Sequence, residues 1–217
     1  MTWFEVLLEG ESDVPAVREI LTRRFGLVEN QNFRLHPHRG KGSLPTRPLS
    51  APDPRQQTLL HQLPAKLRGL SFLGGHACVL VLLDVDRDSC SELLAGLQKM
   101  LSQLPKRPER VLFRLAIEET ESWFIAEPSA IRKAFPRAKT NQIAQIEPDS
   151  IVGAWEQLAR ALDISPDKVA GVDKLNWAER ISPHLDLAAP RSPSLRKFIQ
   201  GVARTISECQ AHEAERV

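Results

Sequence analysis

The chain contains no tyrosine among its 217 residues, so a tyrosyl nucleophile carrying a covalent intermediate is excluded. Cysteine is nearly as scarce. Cys78, Cys90 and Cys209 form neither a C-x-x-C pair nor a Cys/His zinc spacing, and their odd number argues against a disulfide framework. No stretch approaches the roughly 18 consecutive apolar residues of a membrane span. The opening, Met1 to Glu11, carries Glu5, Glu9 and Glu11 where a secretory leader would be basic. A cytoplasmic protein with no membrane partner is therefore expected. A strong charge of either sign is also missing. The 29 Lys and Arg face 27 Asp and Glu, and a net charge of +2 implies no polyanionic partner by itself. Any case for nucleic acid must come from local patches.

What is present is a globular composition, 42% apolar and 26% charged, which excludes wholesale disorder and suffices for a sizeable core. The length fits one large domain or a domain with an appendage. Trp3 to Leu8 is apolar and β-prone apart from Glu5, and it runs through Glu9-Gly10-Glu11-Ser12-Asp13 into a helical pattern. Ser12 is placed to cap that helix, Pro15 suits its first turn, and Val14, Val17, Ile20, Leu21 and Phe25 form its buried stripe. Asn32 to His36 reads as a short second strand, followed by a loop rich in glycine and proline. Leu59, Leu60, Leu63 and Leu67 recur at helical spacing between Gln56 and Leu70, with Pro64 expected to bend or interrupt the helix.

The strongest signal is Cys78-Val79-Leu80-Val81-Leu82-Leu83, apolar at every position, as a strand covered on both faces must be. Ser89 and Glu92 then make a capping box, and Leu93, Leu94, Leu97, Met100, Leu101 and Leu104 line the next helix. Val111 to Ile117 reads as a strand and Glu118 to Glu127 as a helix stopped by Pro128. Such alternation predicts an α/β fold with a four-stranded parallel sheet, helices on both faces and right-handed crossovers. From about residue 129 prolines break the pattern into short helices, with apolar groups around Ile151 to Leu162 and Leu195 to Ile206. The expected organisation is a core over residues 1–128 and a helical C-terminal extension over 129–217 packed on it.

In open α/β sheets the ligand crevice lies beyond the carboxyl ends of the strands. All three readable exits are acidic here: Glu9 with Asp13, then Asp84-Val85-Asp86-Arg87-Asp88, then Glu118-Glu119-Thr120-Glu121. Side chains two apart on an extended segment share a side, so Asp84 and Asp86 can present their oxygens together. Two like charges about 4 Å apart cost about 4 kcal/mol at an effective dielectric near 20, so such a crevice favours a hard cation. Magnesium or manganese, with their preference for oxygen ligands, fits. Capping of the following helices is the competing explanation, and it suits Asp88 and Glu92. An EF-hand starting at Asp84 fails, because Ser89 and Ala95 stand where glycine and glutamate are required. Arg34, His36, His38, Arg39 and Lys41 form a basic segment suited to phosphate oxygens, although it is no Walker A loop. Arg39 and Lys41 are the phosphate-binding candidates, with a solvated loop as the alternative. The His36/His38 pair is weak as a metal site. Lys174 is assigned to surface salt bridging, and Trp155 and Trp177 to the core.

Leu7-Leu8-Glu9-Gly10-Glu11-Ser12-Asp13 and Val81-Leu82-Leu83-Asp84-Val85-Asp86 resemble the glutamate-glycine and D-x-D motifs of the Toprim fold, which serves topoisomerases, primases and overcoming-lysogenization-defect nucleases. Glu119-Thr120-Glu121-Ser122-Trp123, Gly40-Lys41-Gly42 and Arg191-Ser192-Pro193-Ser194 resemble an uncharacterised bacterial Toprim-like family, sometimes encoded beside AAA-type ATPases in defence-like loci. The resemblance implies a Rossmann-like Toprim core and magnesium-dependent hydrolysis of nucleic-acid phosphodiester bonds, in phage defence or DNA processing. It implies catalytic roles for Glu9, Asp84 and Asp86, and metal ligation by Glu9, Asp13, Asp84, Asp86 and Glu119. Glu119 and Glu121 lie about 200° apart around a helix, so both cannot face one site if both are helical; Glu119 is favoured. Two other readings stand beside it. One is a non-catalytic binding or regulatory subunit of an AAA-type ATPase. The other is an aspartate-based phosphatase of the haloacid-dehalogenase-like kind, which usually carries its D-x-D on the first strand and Thr or Val where this chain has Asp88.

Overall fold

A computed structural model describes residues 2–150 and 152–214. The first apolar segment forms β1 (Trp3–Leu8), which leads into α1 (Asp13–Glu19) and a turn of π-helix at Ile20–Arg24. Ser12 does not cap α1 through its side chain. Its backbone is already helical (φ −66°, ψ −22°), whereas a capping hydroxyl needs extended backbone to turn back toward the helix. The turn is closed instead by Gly10, whose N–H donates to Asp13 Oδ2 (3.0 Å). The second strand, β2, covers Phe33–Pro37, one residue later than the sequence pattern predicts.

Helix α2 (Leu59–Gly69) runs through Pro64 without interruption, so of the bend or interruption expected there the interruption does not occur. An interior proline costs about 3 kcal/mol. Four leucines, Leu59, Leu60, Leu63 and Leu67, are buried on the same helix, and each buried leucine contributes about 1.5–3 kcal/mol. Packing outweighs the lost hydrogen bond. The all-apolar run is the core of β3 (Ala77–Asp84), and α3 (Cys90–Ser102) follows. Ser89 Oγ accepts from the Glu92 N–H (3.4 Å), which is one half of the expected box. Then comes β4 (Val111–Ala116).

All three strand pairings are parallel and the order is β2-β1-β3-β4. This is the expected Rossmann-like α/β arrangement. Because β1 leads outward to β2 on one side while β3 lies on its other side, the chain reverses direction in the sheet between β1 and β3. That is the topological switch point, where a crevice opens at the carboxyl ends. The period of two divides the strands cleanly. Phe4, Val6, Leu8, Cys78, Leu80 and Leu82 join one apolar cluster, and Leu7, Val79, Val81 and Leu83 join the other with α2 and α3.

The predicted helix from Glu118 to Glu127 is shorter. α4 covers Glu121–Ile125, residues 118–120 lie outside the helix with Glu118 in a left-handed conformation, and Pro128 opens α5 (Pro128–Ala134) at its first position, where proline is tolerated. Next come α6 (Ala154–Ala161), α7 (Gly171–Ile181) and α8 (Pro193–Ala214), which pack with α1 into the first cluster through Leu158, Trp177, Ile181, Phe198 and Val202. Ile151, part of one predicted apolar group, lies outside the described residues. Among the described residues no helix is long and apolar enough to cross a membrane.

Candidate functional site

The exits of β1 and β3 meet through a single hydrogen bond. The Asp84 N–H donates to Glu9 Oε1 (2.8 Å), so the last residue of β3 fixes the carboxylate that follows β1. Asp13, buried at the start of α1, stands beside them, its other oxygen accepting from Thr120 Oγ1 (2.9 Å) after β4. Three strand exits are thereby joined by two bonds linking residues 75 and 107 positions apart.

The third acidic group divides by role. Glu118, at φ 61°, turns its carboxylate onto the N-terminus of α6, accepting from the Gly153 and Ala154 N–H groups. Glu119 accepts from the Trp155 N–H (2.7 Å) with one oxygen and from Lys174 Nζ (3.1 Å) with the other. Both therefore satisfy the open N–H groups of α6, which also favour negative charge electrostatically. Glu121 is buried on α4 with its Oε1 3.7 Å from Lys174 Nζ. Glu119 and Glu121 thus share one lysine, because only Glu121 is in the helix and Glu119 precedes it.

Lys174 is not the surface residue that the sequence suggested. It reaches from α7 into the crevice, half-buried, with its ammonium 4.8 Å from the Trp155 ring centre. A signal was available: Lys174 lies three, four and seven positions before the buried Trp177, Ala178 and Ile181, on the inward stripe of an amphipathic helix. Thr120 was likewise overlooked as a partner of Asp13.

The D-x-D pair does not share a direction. The strand ends at Asp84, Asp86 adopts a left-handed conformation (φ 52°), and the alternation of an extended segment therefore stops before Asp86. Asp86 stands exposed on the rim, where Lys41 Nζ contacts Asp86 Oδ2 (2.8 Å), Asp88 Oδ2 (2.6 Å) and the Val85 carbonyl (3.1 Å). Lys41 is accordingly engaged by protein acids, while Arg39 has no side-chain partner among the described residues. His36 pairs with Glu5 (2.5 Å) and His38 Nδ1 with the Leu8 carbonyl (2.8 Å), so the two imidazoles do not form a pair.

Crowding shows in the proton affinities. Desolvation, followed by repulsion from Asp13 and Asp86, pushes Glu9 up to about 8, against the lowering effect of the Asp84 N–H and Lys41. Desolvation and Glu121 push Glu119 up to about 8. Asp84 is raised well above the ordinary aspartate range by desolvation and by Asp13, Glu9, Glu121 and Glu119 together. Asp13 and Glu121 are raised as well, chiefly by burial. Burial opposes the charge of Lys174, yet Glu121 and Glu119 hold its affinity above the usual lysine value.

Among the described residues no three His, Cys, Asp or Glu side chains form a group that could hold a metal ion. A cage built wholly of protein ligands, as in structural zinc or EF-hand sites, is therefore not present in this arrangement. Magnesium makes a lesser demand, since one or two carboxylates with waters and substrate phosphate suffice. Asp84 meets it: its carboxylate has no hydrogen-bond or ion-pair partner among the described residues, and it lies at the centre of the acidic group. The donor chemistry fits that mode of binding. An apolar cavity of about 490 Å³ lies elsewhere, along β4 and α8, and none of these carboxylates lines it.

Comparison with known proteins matches residues 8–203 to a family described as Domain of unknown function (DUF4276). No curated protein and no solved structure matches the chain.

Proposed function

We infer that this chain, which belongs to the DUF4276 family, is a Toprim-like phosphodiesterase that hydrolyses nucleic-acid backbones with magnesium or manganese. The observation that carries the reading is the gathering of Glu9, Asp13, Asp84, Glu119 and Glu121 from three strand exits at the switch point, with the central Asp84 left unpaired. The Toprim connection itself rests on the E-G and D-x-D motif likeness and on the strand order.

Asp84 would hold the cation, with Glu9 and Asp13 beside it. Such an ion, when bound, polarises a phosphoryl oxygen and lowers the pKa of water. The rest falls to side chains. Glu9, fixed by the Asp84 N–H and raised in proton affinity by burial in the cation-free protein, is the group placed to exchange a proton with a leaving oxygen. Lys174 restrains Glu119 and Glu121 and keeps them at the back wall. Lys41, bonded to Asp86 and Asp88 on the rim, is placed to exchange those exposed partners for substrate phosphate.

The test is cleavage of single- and double-stranded DNA and RNA with magnesium or manganese. Asp84→Asn and Glu9→Gln should each abolish product; cleavage undiminished in both variants would refute the assignment. One observation favours a second reading. Lys41 and Lys174 each engage two acids, Asp86 with Asp88 and Glu119 with Glu121, so part of the acidic charge is met internally, as in a non-catalytic subunit of an ATPase partner. That reading predicts no cleavage, no thermal stabilisation by divalent cations and copurification with an ATPase.

A further inference from the structure

Next to the carboxylate crevice lies a polar cleft of about 510 Å³, lined by Glu11, Pro37, His38, Arg39, Pro54, Gln57, Gln62 and Lys66. Its walls are held by the backbone. His38 N–H donates to the Leu8 carbonyl (3.1 Å) and Gly40 N–H to the Glu9 carbonyl (2.8 Å), which pins the basic loop to the end of β1. Arg39 N–H donates to the Gln57 carbonyl (3.0 Å), and Gln62 Nε2 donates to the carbonyls of Asp53 (3.3 Å) and Gln56 (2.6 Å), which pins the proline-rich segment to α2. Lys66 lies one helical turn beyond Gln62, on the same face of α2.

The charges in this cleft are unbalanced. Lys66 is half-buried and has neither an ion pair nor a hydrogen bond among the described residues, and Arg39 has no side-chain partner either. Burial lowers the affinity of Lys66 for its proton. Lys66 is also close enough to act electrostatically on His38. Among the described residues the only acid lining the cleft is Glu11, which is exposed and pairs with none of these residues. A half-buried, unpaired ammonium that lines one cleft with an exposed, unpaired guanidinium suits an anion. Lys41, the other basic candidate in this loop, holds Asp86 and Asp88 in this structure, whereas neither Lys66 nor Arg39 holds an acid among the described residues.

We propose that this cleft is a phosphate-binding subsite in which Lys66 and Arg39 grip the oxyanion, held within one loop of Glu9. Its role in seating a nucleic-acid backbone beside the acidic crevice rests on the function proposed above; anion binding by the cleft does not. The chemistry is shared by a backbone phosphodiester and by free phosphate, and two probes separate them.

The experiment uses the full chain in EDTA, so that neither cations nor cleavage contribute. Binding of a short fluorescein-labelled oligothymidine is followed by anisotropy against salt, and binding of inorganic phosphate by calorimetry. Lys66→Gln and Arg39→Ala should each weaken oligonucleotide binding roughly tenfold and lower the salt slope by about 0.7, while Lys66→Arg restores both. Loss confined to inorganic phosphate also supports the subsite and assigns it to free phosphate. Thermal melts of each variant confirm folding. Failure of the wild type to bind either probe, or unchanged binding of both probes in Lys66→Gln and Arg39→Ala, overturns the proposal. Persistent cleavage by Asp84→Asn and Glu9→Gln with lost binding in Lys66→Gln would sink the catalytic assignment and leave the subsite standing.

Discussion

Asp84→Asn should make the cation-free protein more stable, although it alters a residue at the centre of the site. Asp84 is pushed well above the ordinary range by desolvation and by four neighbouring carboxylates, Asp13, Glu9, Glu121 and Glu119. Glu9 and Glu119 rise to about 8 for related reasons. An acid whose folded pKa exceeds its unfolded value keeps its proton in the folded protein and sheds it on unfolding. The folded state then binds more protons, so stability falls as pH rises through the window from the unfolded carboxylate range to about 8. Each tenfold displacement of proton affinity is about 1.4 kcal/mol, and replacing Asp84 by an amide that sheds no proton on unfolding should recover about 1–3 kcal/mol near pH 8. For a chain of this size that is a rise in Tm of roughly 2–12 °C. The assay is thermal unfolding in EDTA at several pH values. The gain should shrink towards about pH 5, where the wild-type carboxyls are protonated and no longer repel. A variant melting at or below the wild type near pH 8, or a gain that persists unchanged at about pH 5, would refute the electrostatic argument.

Lys174→Met should leave Glu119 and Glu121 without their shared cation and cost about 1–3 kcal/mol, more near pH 8 than near pH 5.5, as measured by urea unfolding. Glu118→Ala removes the acceptor for the Gly153 and Ala154 N–H groups, and the loss of that cap should cost about 1–2 kcal/mol with little effect on cation affinity. Lys41→Ala breaks ion pairs to two exposed aspartates, so stability should fall by less than about 1 kcal/mol, yet magnesium binding by calorimetry should tighten because a positive charge that acts on Glu9 is removed.

Local periodicity carried most of the architecture. An unbroken apolar run can satisfy only a strand covered on both faces, so Cys78 to Leu83 announced β3, and leucines at helical spacing announced α2 and α3. Once alternating strands and helices are granted, their exits mark one edge of a parallel sheet, and Glu9, Asp13, Asp84 and Glu119 were readable as neighbours from that rule alone. The sequence pattern failed where a single dihedral angle or a distant partner decides. Asp86 leaves the strand's alternation through a left-handed backbone, and Ser12 loses its capping role through a helical one.

Sequence by itself therefore determined the layers, the strand candidates and the acidic character of the crevice, because hydrophobic burial repeats with a period written into neighbouring residues. Only the tertiary structure decided which charges meet. Lys174 enters from a helix 90 residues beyond Asp84, Lys41 closes on Asp86 across 45 positions, and Glu118 spends its charge on α6, 36 positions ahead. Charge interactions depend on separation in space and on local dielectric, and neither is encoded in the spacing of residues along the chain.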